Sequence, residues 1–325
     1  MGGDEETSAA NDGNILGMFS TNVNDAPNIV GKYGGSVVQP IEADVEGAES
    51  EAPVGQRPQA LLLTFFGAYL LGAGVHVATS SVLEVLRRAG VSEHATRSTL
   101  SRMARRDLLR RVRRGRQVYL GLTPRSRAIL RDGDTRMWRM GAVNAHWDGS
   151  WTLLGFSLPD AWQRQRHELR SRLLWAGFGP LQGGLWIGSS QADVEAVVGG
   201  LDLDGHIRVF NARALPPTDV DRLVCEAWDL GAIADRYQGF LDRWSDEERR
   251  PQLPDQLACQ LVLQAEWLQV IRRDPRLPVA HLPQSWPAER AHELFRARNA
   301  DYDPQARRIS AELLDVLPDE EALRA

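Results

Sequence analysis

Apolar residues recur along this chain with different periods, and the changes of period divide it. From Gln59 to Leu71 nearly every side of a helix is apolar (Leu61, Leu62, Leu63, Phe65, Phe66, Leu70, Leu71), which predicts a helix central to a small core, closed by Gly72 and Gly74. Val82, Leu83, Val85 and Leu86 fall at helical spacing behind Thr79 or Ser80 as N-cap. Arg87-Arg88-Ala89-Gly90 then joins a basic last turn to a terminal glycine, the usual way for a helix to end. Ser92 caps a third helix whose apolar positions Ala95, Leu100, Met103 and Ala104 face one way and leave Arg97, Ser98, Ser101, Arg102 and Arg105 on the other. Residues 110–122 alternate around Gly115, which predicts a β-hairpin with arginines at its tip, and Thr123-Pro124 restarts a helix.

Further on the pattern shifts twice. Trp151 to Pro159 reads as a strand, Ala161 to Trp175 as a helix ended by Gly177, and Leu181 to Gly188 as two short strands about Gly183-Gly184. Ala192 to Val198 reads as a short helix and His206 to Phe210 as a last strand, giving the order βαββαβ of a ferredoxin-like plait. Beyond Pro216-Pro217 the chain reads as helices only, over 220–230, 232–244, 253–272, 287–298 and 304–317, with prolines at the corners. The predicted fold class is therefore multidomain α+β: an acidic extension over 1–55, a winged helix-turn-helix over 56–140, a ferredoxin-like plait over 147–215 and an all-α domain over 218–325.

Charge sharpens this division. The net charge of −5 over 325 residues hides a segregation. Residues 1–55 carry ten acids against the chain's single lysine, Lys32, with few aromatics and no sustained apolar period, so they are expected to be disordered. Residues 56–127 carry fourteen arginines against Glu84, Glu93 and Asp107. A basic module between acidic neighbours is the electrostatic footprint of a polyanion partner, because each neutralised phosphate releases counterions. Two helices joined by Ala89-Gly90-Val91-Ser92, the second with a polar and basic face, followed by an arginine-tipped hairpin, point to double-stranded DNA. Arg97, Ser98, Ser101 and Arg102 are the candidate base-edge readers, and Arg105, Arg113, Arg114 and Arg116 the candidate phosphate or minor-groove contacts.

Other chemistries find little support. The chain has no P-loop, no G-x-G-x-x-G after a strand, no H-E-x-x-H and no cysteine or histidine spacing suited to zinc, so neither a cofactor nor a catalytic or metal-ligating set is assigned. Two cysteines and no basic-then-apolar leader point to a cytoplasmic setting, and the most apolar run, Leu61–Val75, is too short for a membrane span. A plait of this order also occurs in metal-dependent nucleases, but Ser157 stands where such chemistry needs a carboxylate, and Asp160 reads as an N-cap for the next helix. An architectural or partner-bridging DNA-binding protein without a small-molecule effector is the other alternative. Trp228, Trp244, Trp267 and Trp286 read as core residues, with an aromatic-lined pocket as the alternative.

Three segments together resemble the PaaX family of bacterial repressors. The first comprises Leu61-Leu62-Leu63-Thr64-Phe65-Phe66-Gly67, the Gly90-Val91-Ser92 turn with Arg97 to Arg102, and Arg113-Arg114-Gly115-Arg116 before Tyr119. The second is Trp151 to Pro159 with Leu181 to Ile187. The third is Arg272-Arg273-Asp274-Pro275-Arg276-Leu277-Pro278 with His281-Leu282-Pro283 and Ser285-Trp286-Pro287. The resemblance implies a homodimeric repressor on a palindromic operator of a catabolic operon, released by an aryl- or acyl-coenzyme A thioester such as phenylacetyl-CoA. Arg236, Tyr237, Trp267, Arg272 and Arg273 are the candidate effector residues, as basic groups for phosphates beside an apolar slot. Two departures bear on the effector: Ala280-His281-Leu282-Pro283 is a loose version of its motif, and Gln264-Ala265-Glu266-Trp267 stands where family members carry His before Glu.

Overall fold

The amino-terminal helices take the positions their apolar stripes dictate. In the computed structural model, which describes residues 57–139, 143–189, 194–272 and 274–319, α1 spans Pro58–Tyr69, α2 Thr79–Arg88 and α3 Glu93–Arg105. Leu61, Leu62, Phe65 and Phe66 of α1 are fully buried against Val82, Val85 and Leu86 of α2 and Leu100 and Met103 of α3. The predicted acidic extension lies outside the described residues. Strand β1 (Val75–Ala78) precedes α2, so the residue capping α2 is Ala78, and Thr79 instead sends its hydroxyl to the Val118 carbonyl at 2.8 Å. Strands β2 (Leu109–Arg114) and β3 (Gln117–Leu122) form the expected hairpin. Helix α4 (Pro124–Asp134) starts at Thr123, whose side chain and that of Ser126 cap each other's backbone amides, and it runs on into a π-helical turn at Thr135–Arg139.

The middle of the chain forms a second sheet. Its elements are β4 (Trp151–Phe156), α5 (Gln163–Trp175), β5 (Gly179–Pro180), β6 (Leu185–Gly188), α6 (Val194–Val198) and β7 (Ile207–Ala212). The sheet order is β5-β6-β4-β7, all antiparallel, and Leu154, Leu169, Leu173, Phe178 and Trp186 form a separate core beneath it. Asp160 does not cap α5. The residue at that position is Trp162, and Asp160 is fully exposed.

The remainder consists of α7 (Val220–Ala227), α8 (Leu230–Ser245), α9 (Gln256–Arg272) and α10 (Ala288–Leu313). Helix α9 is buried along most of its length, and the four tryptophans sit in or against the same core, with Trp244 and Trp267 enclosed. Two expectations fail here. The helices foreseen over 287–298 and 304–317 are one helix that runs through Pro304, and the last segment is a strand, β8 (Val316–Pro318). β8 pairs with β1, making the first sheet β2-β3-β1-β8, so the carboxy-terminal part is not all helix. One apolar cluster consequently runs from Leu61 to Leu314, joining the amino-terminal helices to α8, α9 and α10.

Candidate nucleic-acid interface

The turn between α2 and α3 is set by local backbone chemistry. Gly90 takes φ +85°, its amide donates to the Arg87 carbonyl at 3.0 Å, and the Val91 amide donates to Leu86 at 2.9 Å. That is the left-handed glycine ending in which two orphan carbonyls are satisfied and the chain reverses. Ser92 then accepts from the Ala95 amide at 3.3 Å, so α3 begins where the sequence places it. Thr96, Thr99, Leu100 and Met103 face the core, and Ala95 and Ala104 are half-buried. The two threonines were not foreseen as inward-facing; their i, i+3 relation to each other and the i, i+4 relations of Thr96 to Leu100 and Thr99 to Met103 are the signal that identifies them.

The opposite side of α3 is polar and open. Arg97, Ser98, Ser101 and Arg105 are exposed, with His94 at the amino end of the same helix. Arg97 is held by Glu93 one turn earlier at 2.7 Å, with both partners more than half exposed. Arg102 is half-buried and donates to Thr99 Oγ1 at 3.1 Å, which places it at the edge of this face rather than on it. Ser101 Oγ accepts from Arg111 Nη2 at 3.3 Å, tying the helix to the base of the hairpin.

At the hairpin tip, Gly115-Arg116 forms a two-residue loop between paired Arg114 and Gln117. Gly115 at φ +61° supplies the positive φ that short hairpin turns require. Arg113, Arg114 and Arg116 are exposed, and among the described residues Arg114 and Arg116 form no ion pair. The hairpin's inner arginine behaves differently. Arg110 reaches Asp319 at 2.7 Å and His76 Nε2 at 3.1 Å, in a half-buried position.

The candidate effector residues separate into two places. Tyr237 of α8 is buried and donates its phenol to Asp274, with Arg236 adding its charge nearby. Burial raises both the Tyr237 phenol and the Asp274 carboxyl above their usual ranges. Trp267 of α9 is enclosed, its ring near-parallel to those of Phe295 at 4.9 Å and His292 at 5.6 Å, with the Tyr237 ring 6.1 Å away. Arg272 instead lies over the Trp175 ring of α5 at 4.7 Å, where Arg136 also sits at 5.4 Å. Arg273 lies outside the described residues. Asp274, Arg276 and Arg136 join this neighbourhood without having been foreseen. Arg276 shows itself only in three dimensions, by a left-handed φ of +54° and a backbone amide bonded to Asp274 at 2.7 Å.

Three family models match along the chain: PaaX-like protein over residues 57–126, PaaX protein central Cas2-like domain over 144–224, and PaaX-like protein C-terminal domain over 228–312. The chain belongs to the PaaX family. It is 25% identical over 267 residues to the transcriptional repressor PaaX of Escherichia coli (strain K12), which covers 78% of this chain and 82% of that protein. An uncharacterized protein from Mycobacterium tuberculosis, Rv0674, shares the fold at a TM-score of 0.55 and 21% identity, over 79% of this chain and 99% of its own. PaaX-family membership makes the chain a regulator rather than an enzyme. Among the described residues no group of histidine, cysteine or acidic side chains is arranged to hold a metal, and no helix is long and apolar enough to cross a membrane.

Proposed function

We propose that this PaaX-family chain is a sequence-specific, DNA-binding transcriptional repressor acting through a winged helix-turn-helix, with α3 in the major groove and the β2–β3 hairpin as the wing. The observation that carries it is the open, basic side of α3, with Arg97, Ser98, Ser101 and Arg105, tied through the Arg111–Ser101 contact to a hairpin whose tip exposes Arg113, Arg114 and Arg116. At 13 residues α3 is about 20 Å long, a length that lies along a groove roughly 12 Å wide. The Arg97–Glu93 pair is an exposed i, i+4 contact, worth about 0.3–0.5 kcal/mol, so Arg97 exchanges it for a base edge at little cost. Arg102 reaches a base only after leaving Thr99.

The proposal extends to a homodimer on a palindromic operator. β7 is an edge strand with Val209 and Phe210 exposed, the kind of edge that a second copy covers. It extends also to release by an aryl- or acyl-CoA thioester, as the family likeness implies, with Tyr237 and Trp267 near the acyl group and Arg236, Arg272 and Arg273 toward the phosphates, in control of a catabolic operon. Fluorescence anisotropy with DNA from upstream of the chain's own gene, with and without a panel of thioesters, tests each part. Arg97→Ala and Arg102→Ala lower the preference for that DNA over a random duplex, and one thioester reverses binding. Equal affinity of wild type and both variants for the two duplexes would remove the assignment of α3. Specific binding unmoved by every thioester would keep the DNA-binding reading and remove the effector, whereas no specific binding would favour the architectural reading.

A further inference from the structure

The carboxy-terminal end of the described chain lies on the basic module, far from its neighbours in sequence. After α10, residues 314–319 cross to β1 and extend its sheet. The Ala78 amide donates to the Asp315 carbonyl at 2.8 Å and the Asp319 amide to the Gly74 carbonyl at 2.7 Å, with Val77 opposite Val316 between them. Side chains fasten the same segment. Ser81 Oγ donates to the Leu313 carbonyl and accepts from the Asp315 amide, both at 3.0 Å, and Tyr119 of the hairpin donates to Asp315 at 3.0 Å. Asp319 is 1% exposed and receives Arg110 of β2 at 2.7 Å and Arg127 of α4 at 2.9 Å.

This segment therefore holds the hairpin from beneath. Arg110 of the hairpin is thus bonded to Asp319 of the tail as well as to His76 of β1. The other end of the linkage is α10, about 39 Å long, which stacks Phe295 on Trp267 in the helical core. β8, three residues long, follows α10 directly and so joins that helix to the sheet of β1.

We propose that residues 314–319 are a control strap: docked on β1 they hold the hairpin in its DNA-binding geometry, and their release, driven through α10, lowers DNA affinity. This rests on the DNA-binding reading above. Two full-length forms test it, in a background with Cys225 and Cys259 changed to Ser. Val77→Cys with Val316→Cys locks the strap when oxidised, since this pair faces across the strands without exchanging backbone hydrogen bonds, the closer of the two spacings. Leu317→Pro with Asp319→Ala releases it, because the strand loses an amide and the carboxylate clamp together.

Anisotropy with the upstream duplex is expected to show at least tenfold weaker binding by the released form than by the oxidised locked form. The released form has one acid fewer, so electrostatics alone predicts the opposite sign. Equal binding within twofold, or tighter binding by the released form, would overturn the proposal. Hydrogen exchange at the Ala78 amide of the unaltered chain gives a second reading that does not depend on the released form folding. Duplex binding slows that exchange if strap and DNA are coupled, since such coupling is reciprocal, and an unchanged rate would count against it. A wild-type chain that binds no duplex removes the DNA-binding reading and the strap with it, whereas normal wild-type binding with indifferent strap variants and unchanged exchange removes the strap alone.

Discussion

Replacing Arg113, Arg114 and Arg116 together with Ala tests whether the hairpin grips phosphates. All three side chains are exposed; Arg113 has only a 3.3 Å contact with the Gly115 carbonyl, and the other two form no ion pair among the described residues. Their loss therefore leaves no buried charge behind, and the folding stability is expected to move by no more than about 0.5 kcal/mol. The effect on binding follows from counterion release. Each phosphate contact contributes about 0.9 to the slope of log affinity against log salt, so three contacts contribute about 2.7. Between 50 and 200 mM salt, a fourfold change, the wild type then loses about 40-fold more affinity than the triple variant. The assay is anisotropy titration of one duplex at four or five salt concentrations, with thermal melts confirming that both proteins are folded. Parallel lines for the two proteins would refute the argument, because a hairpin that touches phosphates cannot lose three cations without losing salt dependence. A slope lowered equally on random and upstream DNA would place these arginines on the backbone rather than on bases.

Three further outcomes follow from the interior. Tyr237→Phe removes the phenol from buried Asp274, which keeps the Arg276 amide as a donor; a loss of about 1–3 kcal/mol in urea unfolding is expected, and no loss would contradict the buried pairing. In Gly179→Ala the added Cβ falls 2.6 Å from the Ala227 carbonyl oxygen and 2.8 Å from the Trp228 ring, so the melting temperature drops by the equivalent of about 1–3 kcal/mol; an unchanged melt would mean that this contact is loose. Burial holds the His76 imidazole below 6.5 in the folded chain, with Arg110 and Arg127 adding to the shift and Asp319 opposing it. The unfolded chain then binds a proton that folded His76 refuses, so this contribution to stability is present above pH 6.5 and is lost as pH falls below it. Urea midpoints at pH 7.5 and 5.5 are expected to differ more for the wild type than for His76→Gln, and equal differences would sink the assignment.

Features controlled by a few adjacent residues were legible in the sequence. The Gly90 ending, the Ser92 cap and the Gly115 hairpin appear where glycine's left-handed freedom and a serine oxygen place them. The open basic face of α3 was legible for the same reason, since helical period alone separates Arg97, Ser98, Ser101 and Arg105 from Leu100 and Met103. Thr96 and Thr99 escaped because a hydroxyl marks a residue as polar, although both are buried. Pro304 misled as a corner. Ala300, whose carbonyl the missing amide would have served, is an exposed residue, so the lost bond falls on the solvent side and the helix continues.

The sequence by itself determined the local elements, the order of charge along the chain and the family to which the chain belongs, because each depends on residue type and short spacing. Only the tertiary structure decided that β1 exists, that β8 completes its sheet, and that Asp319 binds Arg110 across 209 residues. β1 is four residues buried on both faces, so it lacks the alternation that marks a half-buried strand. Asp319, one of many acids in the sequence, becomes distinct only when β pairing removes it from water beside two arginines. Strand partners and buried ion pairs are chosen by the burial of the whole chain, and no short window of residues contains that information.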